Sequence, residues 1–276
     1  MKRSKASLAL IYVCAALVAA VCLFPFLWMW MSSIKELREL YTIPPVWFPA
    51  MPTLENYRTV LFESNVPRYF LNSLIISFGA TGLALFIAIF AAYGFARFKF
   101  RGKTFYQSFV LIGQLLPTAA IIVPLFVTLR TLGLVNTYLG LILVYMIITL
   151  PLAVWMLTSY FRSIPVELEE AAIIDGSSRI GVLFRITLPL SIPGIIAVLV
   201  YSFVTTWNEF IFALTFATDS SVKTLPIGLA EFTTEFNTDW GAVMAASMIM
   251  TVPIAVLFLS MQRMFVGGMT AGSTKG

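Results

Sequence analysis

The residues of this chain that could do chemistry are few, and the most suggestive of them fail on spacing. Gly102-Lys103-Thr104 matches the last three residues of a P-loop, the turn whose backbone amides hold nucleotide phosphates. That motif needs another glycine five positions earlier, where this sequence has Arg97. The chain also has no histidine, the commonest general base and the commonest metal ligand. We therefore predict no catalytic residue, no metal site and no ATP site in this chain.

Two further candidates are the cysteines and one isolated carboxylate. Cys14 and Cys22 are eight residues apart, or about 12 Å along a helix, which is too far for a disulfide. They are interpreted as packing or lipid-facing residues. Glu209 is the only charged residue in a long apolar stretch. Such a group usually has a function inside a membrane, but it is equally compatible with a solvated position at the outer interface.

The elements that must position these residues are membrane-spanning helices. Apolar residues make up 59% of the chain and charged residues only 11%, whereas a soluble domain carries roughly a quarter charged residues. About 20 apolar residues cross a bilayer, and the first such stretch continues too far to be a cleaved signal peptide. We predict an all-α polytopic membrane protein with six spans, at about 8–31, 69–94, 105–129, 138–160, 190–213 and 241–262.

The orientation of the spans follows from the basic residues in the connections. Twelve lysines and arginines lie on the side that contains both termini, and six lie on the other side. Because basic loops remain in the cytoplasm, both termini are predicted to be cytoplasmic. This asymmetry explains the net charge of +5 without nucleic-acid binding.

The longest connection predicted on the cytoplasmic side, residues 163–189, has the signals of two short helices. Pro165 suits the first position of a helix, and three glutamates follow it, which favours the positive helix N-terminus. Gly176 is placed where that helix would end in a left-handed residue. Ser177 or Ser178 then suits the start of a second helix, which we expect to run to Leu188. The connection is therefore predicted to be a compact helix–turn–helix.

This helix–turn–helix is also predicted to present a docking surface. Ala171 and Ala172 are small enough to let another backbone approach closely, and apolar neighbours surround them. A solvated loop gains nothing from such residues, although a helix lying on the lipid surface would also use them. The apolar neighbours are Ile173, Ile174, Leu183 and Phe184.

The spacing of these residues resembles the EAA loop of binding-protein-dependent ABC importer permeases, and residues 163–189 are called the EAA loop below. The motif residues are Glu170, Ala171, Ala172, Gly176, Ile186, Leu188 and Pro189. The resemblance implies that they dock on a separate ATPase. Three other segments, Asn72-Ser73, Trp207–Phe210 and Thr224–Leu229, resemble the second permease subunit of maltose-type and multiple-sugar importers.

The resemblance implies a single transmembrane permease domain over 1–276 with the maltose-type permease fold, placed in a bacterial-type inner membrane. Such a subunit is not an enzyme: it imports a sugar or oligosaccharide by alternating access. Its implied partners are a second homologous permease, two ATPase subunits that bind ATP and Mg²⁺, and an extracytoplasmic solute-binding protein. A polyol or glycerol phosphate importer is the alternative. A self-sufficient secondary transporter would place ionisable residues in several spans, and five of the six have none.

Two further sets of residues are expected to contact the solute or the binding protein. Amides and a carboxylate can hydrogen-bond sugar hydroxyls, and aromatic rings can pack on the apolar face of a sugar, although each is also common in helix–helix contacts. The expected pathway residues are Gln114, Tyr145, Trp207, Asn208 and Glu209. By resemblance, the binding protein is expected to contact Leu225, Pro226, Ile227, Gly228 and Leu229.

Overall fold

The computed structural model describes residues 5–115, 117–234 and 237–271, with side chains described only from residue 7 to 262. Within these ranges every regular element is helical, and one isolated bridge joins Thr233 to Thr238. The helices are α1 Lys5–Ser33, α2 Leu37–Leu40, α3 Glu55–Arg58, α4 Val66–Arg97, α5 Lys103–Ile112, α6 Thr118–Thr131, α7 Tyr138–Ser163, α8 Val166–Ile174, α9 Arg179–Val182, α10 Leu188–Leu190, α11 Ile192–Trp207, α12 Ile211–Phe216, α13 Leu225–Ala230 and α14 Trp240–Ala271.

Four of these helices, α1, α4, α7 and α14, are each long and apolar enough to cross a membrane. Two bent pairs raise the number of candidate spans to as many as six. One pair is α5 with α6, and the other joins the stretch Arg179–Leu190 to α11. The predicted all-α class is confirmed, and the six predicted spans are reached when each bent pair is one span.

The two bent spans differ from the continuous helices that the sequence predicted at 105–129 and 190–213. In the first, α5 and α6 meet at 97°, with a 3₁₀ turn at Gly113–Leu115 and Pro117 just before α6. Pro117 has no amide hydrogen to continue the helical ladder, so the helix restarts after it. In the second, the chain bends by 79° near Ser191, and α11 then ends at Trp207 before α12 begins.

The chain divides into two compact units, and the first contains Met1–Pro67 and Gly228–Val252. Helix α1 is exposed along most of its length, and both of its cysteines are free and exposed, as predicted. The segment after α1 is fixed by Lys35, whose side chain is 1% exposed. Its ammonium donates a hydrogen bond to the Val46 carbonyl and lies 4.5 Å from the centre of the Trp28 ring. Burial lowers the pKa of Lys35 below its ordinary value, against the opposing effect of Glu39.

The second unit contains Arg68–Ile227 and the end of the chain from Pro253, and one face of α4 packs into its core. One core cluster of this unit gathers Ile76 and Ala80 of α4 with Tyr145 of α7 and residues of α12. The other cluster gathers Ala88 and Ala92 of α4 with residues of α7 and α11. Small side chains on α4 let its neighbours approach closely, which is a typical packing mode for membrane helices.

The predicted orientation leads to a labelling experiment on two exposed positions, Lys99 and Ser220. With Cys14 and Cys22 replaced by serine, Lys99→Cys should react with a membrane-impermeant thiol reagent only from the cytoplasm. Ser220→Cys should react only from outside, because the two positions lie on opposite sides of the predicted charge asymmetry. Labelling of Lys99→Cys from outside intact cells would contradict the six-span orientation.

Candidate functional site

The first half of the EAA loop is a short helix closed by a left-handed glycine. Helix α8 begins at Val166, and Pro165 precedes it as the N-cap in an extended conformation. The prediction that Pro165 occupies the first helical position is therefore wrong by one residue, because the helix begins at Val166. Gly176 has φ +88°, which confirms the predicted left-handed turn. Its amide donates to Ile173 and the Ser177 amide donates to Ala172, the two hydrogen bonds that define a Schellman motif.

The second half of the loop is a continuous helical run that begins at a serine cap. The Ser178 hydroxyl accepts a hydrogen bond from the Gly181 amide at 3.1 Å, so Ser178 rather than Ser177 caps this run. Helix α9 continues through a π-helical turn at Leu183–Thr187 into α10. The run ends at Leu190, two residues later than predicted, and it includes Pro189 in the first turn of α10.

A buried ion pair fixes both halves of the loop to the end of α4. Glu169 of α8 is 2% exposed, and its carboxylate lies 2.9 Å from both Nε and Nη2 of Arg97. The Arg97 side chain is 5% exposed, and its Nη2 also donates to the Ile164 carbonyl. Thr187, in the second half of the loop, donates to Glu169 at 2.7 Å, and Tyr93 of α4 donates at 3.3 Å. Every charge in this cluster is therefore neutralised and hydrogen-bonded.

No sequence signal predicts this cluster. Glu169 is one of the three glutamates expected at a helix N-terminus, and Arg97 enters only as the residue in place of a P-loop glycine and as one of the basic residues that set the orientation. The two residues are 72 positions apart, so no local spacing connects them. Removing one member leaves the other charge buried without a partner, which costs about 3–5 kcal/mol.

The motif residues on this support are all exposed or half-buried. Glu170, Ala171, Gly176 and Pro189 are exposed, and Ala172, Ile186 and Leu188 are half-buried. Two large apolar side chains of the loop are also exposed: Ile174 is 85% exposed and Ile180 is 66% exposed. Exposed apolar surface on an ordered element is typical of an interaction site.

Three of the five expected pathway residues, Tyr145, Trp207 and Glu209, are buried or half-buried and contact other groups of this chain. Trp207 is fully buried, stacked on Phe203 and edge-to-face with Phe70, so its ring is not open to a ligand in this structure. Tyr145 is 1% exposed, and its hydroxyl donates to the Glu209 carbonyl at 3.4 Å. The Glu209 carboxylate accepts hydrogen bonds at 3.0–3.1 Å from two backbone amides in the first turn of α12.

The other two pathway residues, Gln114 and Asn208, are exposed. Asn208 donates to the Val204 carbonyl of its own helix. Gln114 lines a cavity of about 350 Å³ at the bend between α5 and α6, and its amide donates to the Ile148 carbonyl at 3.3 Å. The described lining residues are Gly113, Gln114, Thr118, Ile121, Leu125, Val144, Ile147, Ile148, Pro151, Tyr201 and Phe212.

The residues expected to contact a binding protein lie in α13, and they are less open than the sequence suggested. Leu225, Pro226, Ile227 and Gly228 are buried, and Leu229 is half-buried. The exposed residues nearby are 218–220, 230–231 and 233–234.

The segment before α13 is held by the beginning of α4. The Ser73 hydroxyl accepts a hydrogen bond from the Leu225 amide at 2.7 Å, and the Asn72 amide donates to the carbonyls of Ser221 and Lys223. Tyr138 donates to the other side of Asn72 at 2.7 Å.

The capping geometry of Glu209 predicts how two substitutions differ. Glu209→Ala removes both acceptors from the α12 N-terminus and should destabilise the protein by about 0.5–2 kcal/mol, whereas Glu209→Gln keeps one acceptor oxygen and should cost less. Thermal unfolding of the purified protein measures the difference. If both variants unfold like the wild type but transport poorly, the carboxylate acts on the solute rather than on α12.

These features together define a class: a multi-spanning α-helical membrane protein with an ordered loop between α7 and α11 that has exposed small and apolar residues. The sequence matches, over residues 84–270, the family described as binding-protein-dependent transport system inner membrane component. This chain belongs to that family and is the inner-membrane permease subunit of such a transport system.

Two relatives support that assignment, and one solved structure has a similar fold. The trehalose/maltose transport system permease protein MalG of Thermococcus litoralis is 41% identical over 97% of this chain and 96% of its own length. The sulfoquinovosyl glycerol transport system permease protein SmoH of Agrobacterium fabrum is 36% identical over 96% of this chain and 93% of its own length. The fold is similar to a chain of a bacterial ABC transporter involved in alginate import, with a TM-score of 0.79, 18% identity, and 95% and 99% coverage of the two chains.

Proposed function

We propose that this permease forms one half of the transmembrane pathway of an ABC importer for a carbohydrate. The observation that carries the proposal is the EAA loop, whose small and apolar face is exposed while its other face is fixed by the buried Arg97–Glu169 pair. A second, homologous permease completes the pathway, and two ATPase subunits bind ATP and Mg²⁺. An extracytoplasmic binding protein delivers the solute.

The docking role of the EAA loop rests on rigidity as much as on exposure. An interface that must transmit force needs a support that does not yield, and the Schellman turn, the Ser178 cap and the buried ion pair supply three such constraints. Ala171 permits close backbone approach, and Ile174 supplies an apolar side chain for a pocket on the partner. This arrangement fits the transfer of ATPase motion to the permease.

The solute class is proposed from the relatives and from the cavity at the bend between α5 and α6. The named relatives are permeases for trehalose or maltose and for sulfoquinovosyl glycerol. The cavity, at about 350 Å³, has the size of a small-ligand site. Gln114, Thr118 and Tyr201 supply hydrogen-bonding groups among apolar side chains, as a sugar requires. The described lining has no lysine or arginine, which favours a neutral solute over glycerol phosphate.

The contact with the binding protein is proposed for the surface beside α13. Because Leu225–Gly228 are buried, the binding protein would meet the exposed residues 218–220 first. The buried residues then hold this surface in place rather than form it.

The test is uptake by the reconstituted importer, with the permease pair, the ATPase and the binding protein in sealed vesicles. A radiolabelled disaccharide, a polyol and glycerol 3-phosphate are compared as solutes. Disaccharide uptake that requires both ATP and the binding protein is expected. Uptake of only the polyol or the phosphate would replace the carbohydrate proposal, and uptake by this chain alone would replace the ABC importer proposal with a self-sufficient transporter.

Gln114→Ala tests the cavity in the same vesicles. Loss of one hydrogen bond to the solute should weaken transport about two- to tenfold. Gln107→Ala is the matched control, because Gln107 lies on α5 outside this cavity. Equal transport by the two variants would remove Gln114 from the solute pathway.

A further inference from the structure

Helix α4 holds a different loop at each of its ends. At its beginning, Asn72 and Ser73 are each 2% exposed and bind three backbone groups of the segment 221–225. At its end, Tyr93 and Arg97 bind both halves of the EAA loop through Glu169 and the Ile164 carbonyl. The two anchors consist of buried and part-buried hydrogen bonds together with one buried ion pair.

The part of α4 between the anchors is one continuous helix that contains no proline. From Ser73 to Arg97 the helix rises about 36 Å, close to the thickness of a membrane. Of the four long helices, α1, α7 and α14 contain an internal proline, whereas α4 has only Pro67, in its first turn. An unbroken hydrogen-bond ladder resists axial compression, so a displacement of one end moves the other.

The packing of α4 allows such a displacement. Ala80, Ala84, Ala88 and Ala92 follow one another at four-residue spacing and are all fully buried. At Gly79, an added Cβ would lie 2.8 Å from Cδ1 of Ile142, so the helix approaches α7 closely. Small side chains form a smooth surface with shallow interlocking, and a smooth surface opposes sliding less than long interdigitated side chains do.

The covalent routes into the EAA loop are both interrupted. Helix α7 leads directly into the loop but contains Pro151. The second half of the loop leads into α11 through the 79° bend near Ser191. Helix α4, which no internal proline or bend interrupts between the two anchors and which a buried ion pair joins to the loop, is therefore the most continuous connection.

We propose that α4 transmits displacement between the segment 221–225 and the EAA loop, with Ser73, Asn72, Arg97 and Thr187 as positioning residues. This inference rests on the proposed function, because the two loops are proposed to meet the binding protein and the ATPase. Binding-protein docking near residues 218–220 would shift the anchored segment, and α4 would carry that shift to Glu169.

The experiment uses the assembled importer and measures how many-fold the binding protein stimulates ATP hydrolysis. Ser73→Ala and Thr187→Val each remove one buried hydrogen bond at opposite ends of the connection, and each should lower the stimulation about two- to tenfold while ATPase co-purification stays normal. Distant independent sites have additive effects. If both substitutions act through α4, the stimulation in the double variant should instead be no lower than in the single variant that shows the lower stimulation.

Two control variants match the chemistry and burial of the test variants. Thr158→Val removes a buried threonine hydroxyl that donates only to Val154 of its own helix. Ser202→Ala removes a fully buried hydroxyl with no hydrogen-bond partner in the described part of the chain. Both should keep wild-type stimulation. Multiplicative effects of Ser73→Ala and Thr187→Val, or normal stimulation in either, would overturn the proposal.

A second measurement separates failure of this inference from failure of the proposed function. If no binding protein stimulates the wild-type assembly, the proposed function fails, and amide hydrogen exchange of the chain in nanodiscs then tests α4 alone. Ser73→Ala should speed exchange in the segment 221–225 and also in the EAA loop, whereas Ser202→Ala should change neither. Faster exchange confined to the segment 221–225 would overturn the connector role.

Discussion

Ala171→Arg will release the ATPase from this permease, whereas Ala171→Ser will not. Ala171 is exposed in this chain, so an arginine there disturbs no packing of the permease itself. In the proposed interface the same arginine must displace the partner or bury a charge without a partner, and central interface positions cost about 2 kcal/mol or more when they are disrupted. That cost corresponds to roughly a thirtyfold loss of affinity.

The measurement is co-purification of the ATPase with the permease pair, followed by binding-protein-stimulated hydrolysis. Ala171→Ser is the matched control because it adds one small hydroxyl and keeps the close backbone approach. Normal thermal unfolding of the permease carrying Ala171→Arg would show that the loop remains folded. Normal ATPase recovery with Ala171→Arg would remove this face from the interface and the proposal would lose its main support.

The features that the sequence predicted correctly depend on short-range signals. A glycine that follows an apolar helix, and a serine just after it, predict a helix end and a helix start within a few residues. The structure confirms both at Gly176 and Ser178. The charge-free stretches likewise predict where helices cross a membrane, because the bilayer sets a minimum length.

The features that the sequence did not predict depend on long-range contacts or on burial. In a membrane protein the lipid-facing and the core-facing residues are both apolar. The presence of a tryptophan at position 207 therefore did not indicate that its ring is fully buried. Pro117 lies within the predicted third span, but prolines also occur in continuous spans, so the bend between α5 and α6 was not predicted. Predicting the cap that Glu209 forms on α12 would have required knowing that the helix of the fifth span ends at Trp207.

Gly176→Val will uncouple the permease from its ATPase by a different route from Ala171→Arg. Gly176 has φ +88°, and an added Cβ there meets no atom of this chain within 4 Å. The effect of a side chain on this chain is therefore conformational: a β-branched residue in the left-handed region costs on the order of 1–3 kcal/mol. The Schellman turn would open, and α8 and α9 would no longer be held in their present arrangement.

Gly176→Asn is the variant that decides whether backbone strain or side-chain volume is responsible. Asparagine tolerates the left-handed conformation but is about as large as valine. If the turn geometry matters, Gly176→Asn should keep ATPase co-purification and stimulated hydrolysis near the wild-type level. For Gly176→Val, the stated free-energy cost should lower the ratio of correctly folded to misfolded loop by roughly five- to 150-fold. Equal loss in both variants would mean that the ATPase contacts position 176 directly. The interface would then extend over the turn, and the left-handed backbone would not be the reason that glycine is needed there.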